Sequence, residues 1–278
     1  MGISPDGGRS RVSSLSHQLS SGDVNMDLTR CGLLVERAEE LTQLYETHGN
    51  WNDVKDVWFD ERLSNRSTRS SSQAIFRVLT SRLKNAPASL PNPRDLPRIL
   101  EQCETARDKA QVLYLYLVED DGLVQYTVHE YASRLESGDH APLDFSDETV
   151  LQTVESLEYA DGSRFDYADS TTRRWCDGFR SVMRETGVLR NRQDVIGSPP
   201  ALGTIPLLVS LGYSSDAGGD DWVTAPTGLL YLFQPEDRWD ELFNRAARTD
   251  FWEFVEVHGG LRLRPVDTPY AWATGGTD

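Results

Sequence analysis

Between Arg62 and Arg94 the chain sets out Arg62, Arg66, Arg69, Arg77, Arg82, Lys84 and Arg94 without one Asp or Glu in 33 residues. Cations gathered in this way hold anions, phosphates above all, because the planar fork of arginine offers two N–H groups to two oxygens at once. The rest of the chain makes the cluster stand out. All 278 residues together carry a formal charge of -16, so outside this segment the chain stands at -23. Just ahead of the apolar part of the segment, Ser67-Thr68-Arg69-Ser70-Ser71-Ser72 supplies hydroxyls that can cap a helix. Short side chains there also let a phosphate reach the free N–H groups of a helix start.

Other chemistry is poorly provided for. There is no G-x-x-x-x-G-K-S/T loop to cradle a phosphate, no G-x-G-x-x-G after a strand and no G-x-S-x-G elbow. The five histidines, His17, His48, His129, His140 and His258, have no metal-ligand spacing, and His129-Glu130 lacks a second histidine a helical turn away. Glu236-Asp237 has no nearby lysine to complete a metal-dependent nuclease site. Cys31, Cys103 and Cys176 lie too far apart for a zinc site. The sequence therefore predicts a non-enzymatic protein with no catalytic residues, no metal and no cofactor. Its unpaired cysteines fit a reducing, cytoplasmic setting, where they serve as small buried apolar groups.

The elements that must position the cations follow from periodicity. At about 100° per residue, Arg66, Arg69, Gln73, Arg77, Thr80 and Lys84 fall along one stripe, with Ile75, Val78, Leu79 and Leu83 opposite. One face is built for burial and the other is positive. The alternative is a solvated surface helix whose arginines pair with acids from elsewhere. Before it, Leu34, Ala38, Leu41 and Tyr45 mark a helix ending near Gly49, and Asn50 caps a second with Val54, Val57 and Trp58 inward. Four prolines from Pro87 to Pro97 predict a rigid connection. Thr105 and Asp108 form a capping box ahead of Val112–Val118, read as a buried central helix, and Val124, Val128, Tyr131 and Leu135 mark another.

These elements predict a disordered tail over 1–26, an N-terminal helical domain over 27–137 and a C-terminal helical domain over 143–278, divided at Ser137–Pro142. In the second, Ser146 caps a helix, and Asp169 or Ser170 starts another closed by Gly187. That helix carries Arg173, Arg180 and Arg184 as a weaker basic face interrupted by Asp177. Further on, 199–212 predicts a short helix, 214–221 a flexible acidic loop, 228–233 a strand or helix, and Pro235 the start of a helix. Phe251–Val257 and Leu261–Arg264 then predict a hairpin with Arg262 and Arg264 on its outer face, either the end of a winged helix or a solvent-exposed cap. The expected fold class is mainly α with a small β-hairpin near the C-terminus.

Composition adds two constraints. Twenty-five Arg and only Lys55, Lys84 and Lys109 face 44 acidic residues, the balance expected of a halophilic source, whose proteins stay hydrated through net negative charge. The longest apolar runs are about seven residues, far short of the ~20 a membrane helix needs, so no membrane partner is expected.

Residues 29–190 resemble the BrxA family of BREX bacteriophage-exclusion systems. The resemblance rests on Gly32-Leu33-Leu34 opening a helix to Leu41 and Tyr45, on Gly49-Asn50-Trp51, and on the Arg/Ser-rich approach to Arg77–Lys84. It extends to Ser170–Arg174 and to Phe179–Leu189. The likeness implies NusB-like helical bundles, double-stranded DNA binding and work beside other defence-system subunits. Arg62, Arg66, Arg69, Arg77, Arg82 and Lys84 would be the DNA contacts, joined by Arg173, Arg180 and Arg184. Two other roles remain open at this point, a protein–protein adaptor within the defence complex and an RNA-binding NusB-like protein. The tails at both ends and the acidic overall charge depart from the family pattern.

Overall fold

In a computed structural model the described residues are 19–136, 142–217, 219–257 and 260–274. The described part of the chain is mainly helical, with one hairpin near its C-terminus.

After a 3-10 turn at Asp27–Thr29, helix α1 runs over Val35–His48 and ends on Gly49 in the left-handed region. Helix α2, Trp51–Asp60, is capped by Asn50, whose side chain accepts from the N–H groups of Asn52 and Asp53. The basic helix α3 covers Arg69–Lys84 and is capped by Thr68. The proline-rich connection holds as far as Asp95, then yields a short helix α4, Leu96–Glu101, that the prolines had hidden. Proline is tolerated in a first turn, where its missing N–H would have no partner anyway, and Leu96, Ile99 and Leu100 are buried. The expected capping box opens α5, Ala106–Asp120, and α6 follows over Gly122–Glu136.

Strand β1, Leu143–Asp144, precedes α7, Asp147–Glu155, which Ser146 caps as expected. Helix α8, Asp169–Glu185, begins after Ala168 rather than on a side-chain cap, and Gly187 in the left-handed region closes it. The Leu189 N–H reaches back to the Met183 carbonyl at 3.0 Å, the wrap that needs such a glycine. Strand β2, Ile196–Gly197, pairs antiparallel with β1.

Helix α9, Thr204–Ala217, absorbs the first residues of the expected acidic loop. There the hydroxyl of Ser214 bonds inside the helix and also accepts from Gly228 N–H at 2.8 Å, which ties it to α10, Thr227–Tyr231. The ambiguous 228–233 segment is thus helical at its start. After a 3-10 turn at Glu236–Arg238 comes α11, Trp239–Ala246. Strands β3, Trp252–Val257, and β4, Gly260–Pro265, form the hairpin, and α12, Ala271–Thr274, follows.

Helix α5 is the axis. From Val112 to Val118 every side chain is at most 4% exposed, and the helix packs on α1, α3, α6, α8, α9 and α10. Burial on all sides explains why its sequence shows no amphipathic stripe. One hydrophobic cluster therefore runs from Val24 to Ala273, on both sides of the expected boundary, whose residues 137–141 lie outside those described.

The expected tail over 1–26 extends further along the sequence than the packing allows. Residues 1–18 are outside those described, but from Leu19 onward the segment is laid against the bundle. Leu19 O accepts from Ala160 N–H at 2.9 Å and Asp23 O from Gly122 N–H at 3.0 Å. A Cβ on Gly178 of α8 would lie 2.3 Å from Leu28 O, so only glycine admits the segment this closely.

His129 is buried on α6, its Nε2 is 2.8 Å from the Tyr231 hydroxyl, and burial holds its pKa down at about 4. The unfolded chain takes up this proton below about 6.5 and the folded chain does not, so His129 costs stability as pH falls through that window. His129→Gln should therefore gain on the wild type by about 3 kcal/mol between pH 7 and pH 4. Urea unfolding of both proteins across that range checks it, and a difference independent of pH would contradict it.

Candidate functional site

The cations of the 62–94 segment are sorted by the packing of α3. Ile75, Val78, Leu79 and Leu83 are buried, and the helix lies against α5. At 3.6 residues per turn this turns Arg69, Gln73, Arg77 and Lys84 outward, and all four are exposed. Thr80, placed on the same stripe by sequence, is buried and returns its hydroxyl to the Phe76 carbonyl at 2.7 Å.

Arg66 precedes the helix instead of standing on it. The backbone takes a left-handed conformation at Arg62 and again at Asn65, and the resulting bend brings Arg62 and Arg66 beside the start of α3. A concavity of about 480 Å³ lies there, lined by Arg62, Arg66, Arg69, Ser67 and Thr68 with Asp60 in its wall. Arg66 also borders a second hollow of about 340 Å³ with Arg30, Cys31, Ser70 and Ser71. Arg30 was missed by sequence reasoning because it sits in an aperiodic turn, and only the fold brings it to α3.

What distinguishes these arginines is their gathering around one concavity at the start of α3. Some cations elsewhere in this acidic chain are taken up by carboxylates, Arg98 by Glu46 at 3.1 Å, Lys109 by Glu39 at 2.6 Å and Arg264 by Glu253 at 2.9 Å, whereas others such as Arg107, Arg164 and Arg174 are exposed with no ion pair among the described residues. Among the described residues no carboxylate stands within ion-pair distance of Arg62, Arg66 or Arg69. Arg77 is intermediate, 3.0 Å from Asp27 yet with its side chain 71% exposed. Lys84 lies 5.2 Å over the Trp51 ring, a cation–π contact at the far end of the helix.

Arg82 must be removed from the set of outward contacts. It is only 4% exposed and donates to the carbonyls of Gly32 at 2.7 Å and Cys31 at 3.3 Å. Burial works against its charge, and the buried Asp121 and nearby Asp120 offset that cost. Asp121 in turn is lifted by burial to about 7 while its Oδ1 caps α6 at Leu123 N–H. Residue 82 is a structural clamp between α3 and the N-terminal segment.

The α8 face is also reduced. Arg180 is bonded to Asp147 and its side chain is 12% exposed. Arg184 is half-buried, its charge disfavoured by burial and by Arg180 and Arg192. Arg173 alone of the three is exposed. On the hairpin, Arg264 is already paired.

No group of His, Cys, Asp or Glu among the described residues could hold a metal ion, and no helix is long and apolar enough to cross a membrane. Burial raises the thiols of Cys103 and Cys176 to about 12, against reactive roles for either. Comparison with protein-family models, curated proteins and solved structures found no match to this chain.

Two substitutions separate these roles. Arg82→Leu leaves a buried and a half-buried carbonyl without this donor, and it should cost about 3 kcal/mol in chemical unfolding while the folded fraction keeps its anion affinity. Asp27→Asn frees Arg77, costs under about 1 kcal/mol and should strengthen binding of a polyanion such as heparin several-fold. Unchanged stability in the first variant, or weaker polyanion binding in the second, would contradict this assignment.

Proposed function

We propose that this protein is a non-enzymatic, double-stranded-DNA-binding component of a BREX-type phage-exclusion system, related to BrxA and NusB-like in its helical bundle. The observation that carries the proposal is the set of exposed, internally unpaired guanidiniums of Arg62, Arg66 and Arg69, continued along α3 by Arg77 and Lys84. Gathering these cations on one exposed flank, in a segment of 33 residues without one Asp or Glu, fits an external polyanion better than it fits a solvated surface.

The exposed stripe extends over α3, about 24 Å at 1.5 Å per residue, long enough to follow several phosphates of one strand. Such contacts fix register and orientation but carry no base information. Weak sequence preference is therefore expected. Other subunits of the same defence system would be its protein partners.

The test is a combined variant, Arg66→Glu with Arg69→Glu and Arg77→Glu, measured for duplex binding by fluorescence anisotropy at low salt. Loss of roughly a hundredfold or more is expected, since each removed charged contact is worth about 1–3 kcal/mol. Undiminished affinity in a folded triple variant would refute the proposal. An RNA duplex that competes better than DNA would reassign the face to RNA.

A further inference from the structure

The concavity at the start of α3 differs from the stripe beyond it in shape. A duplex presents a convex backbone in which each phosphate is flanked by two sugars, so it can lie along an exposed helix face but cannot enter a hollow. The hollow nevertheless holds three of the unpaired cations. Arg62, Arg66 and Arg69 line about 480 Å³ together with Ser67 and Thr68, against one carboxylate, Asp60.

Three arginines lining one cavity exceed what a phosphodiester, with a single negative charge, requires. A phosphomonoester carries close to two charges at neutral pH and three terminal oxygens able to accept from arginine forks and hydroxyls. The backbone at the rim and the Thr68 hydroxyl are held by local hydrogen bonds. Thr68 O accepts from Ser72 N–H at 3.1 Å and Thr68 Oγ1 from Ser71 N–H at 3.2 Å. Arg66 N–H donates to Ser64 Oγ at 3.4 Å, and Ser64 is itself buried. The hollow adjoins the stripe through Arg69, which belongs to both.

We infer that this concavity takes the terminal 5′-phosphate of a DNA end whose duplex lies along α3. The inference rests on the duplex-binding reading and deepens it: the protein would favour ends over uninterrupted DNA. Arg62, off the helical stripe, is the residue that most specifically serves the end.

The test compares three duplexes of one sequence by fluorescence anisotropy: one with 5′-phosphates, one with 5′-hydroxyls, and one closed at both ends by loops. The 5′-phosphorylated duplex should bind roughly tenfold tighter than the other two, the yield of one additional charge-assisted contact. In Arg62→Gln, shown to be folded by circular dichroism, that ratio should fall to about one. Equal affinity for all three duplexes would overturn the inference while leaving duplex binding intact. A preference that survives Arg62→Gln would overturn its placement in this hollow, and failure to bind any duplex would overturn both readings. A nucleoside 5′-monophosphate should erase the preference only in large excess, because it lacks the contacts along α3. Competition at concentrations equal to the duplex would show a free-nucleotide site and overturn the DNA-end assignment.

Discussion

The burial of Ile75, Val78, Leu79 and Leu83 against α5 turns Arg69, Arg77 and Lys84 of α3 outward. A fully buried Leu, Ile or Val side chain stabilises by about 1.5–3 kcal/mol, and four of them on one helix outweigh any surface ion pair. The helix cannot rotate to bury its outward arginines without exposing that apolar row. Charge segregation on the surface is thus a consequence of packing in the core.

A second constraint is the fastening of the N-terminal segment across this arrangement. Arg82 reaches inward to hold the carbonyls of Cys31 and Gly32, Gly178 lets Leu28 approach α8, and Asp27 comes to lie beside Arg77. The same fastening places Arg30 next to Arg66. A buried guanidinium is costly unless its donors are satisfied. Here two carbonyl acceptors and the nearby Asp121 and Asp120 meet that need. The segment therefore both trims the basic face, through Asp27, and extends it, through Arg30.

Much of this was legible in the sequence, and the failures have physical causes. Strong local signals held: the Thr105–Asp108 capping box, Asn50 and Ser146 as caps, Gly187 as a helix stop and the hairpin of two six-residue strands. Periodicity identified the buried row of α3 but gave Arg66 to the helix, because an angular pattern does not mark where a helix begins. It could not tell Arg82 from Arg77, since both flank the apolar row and their fates depend on which distant carbonyls or carboxylates arrive beside them. The same holds for Arg180, whose partner Asp147 lies on α7. Helix α4 was hidden by prolines that are harmless in a first turn. The packed stretch after Leu19 was hidden by a Ser- and Gly-rich composition that reads as tail.

The account turns on the claim that the outward guanidiniums hold a polyanion through its phosphates. Its most direct measurement is the slope of log K against log salt for duplex binding by the unaltered protein. Five phosphate contacts, from Arg62, Arg66, Arg69, Arg77 and Lys84, predict a slope of about -4.5, each contact contributing about -0.9 through counterion release. A slope near zero would show that the basic face takes no part in binding and would contradict the account.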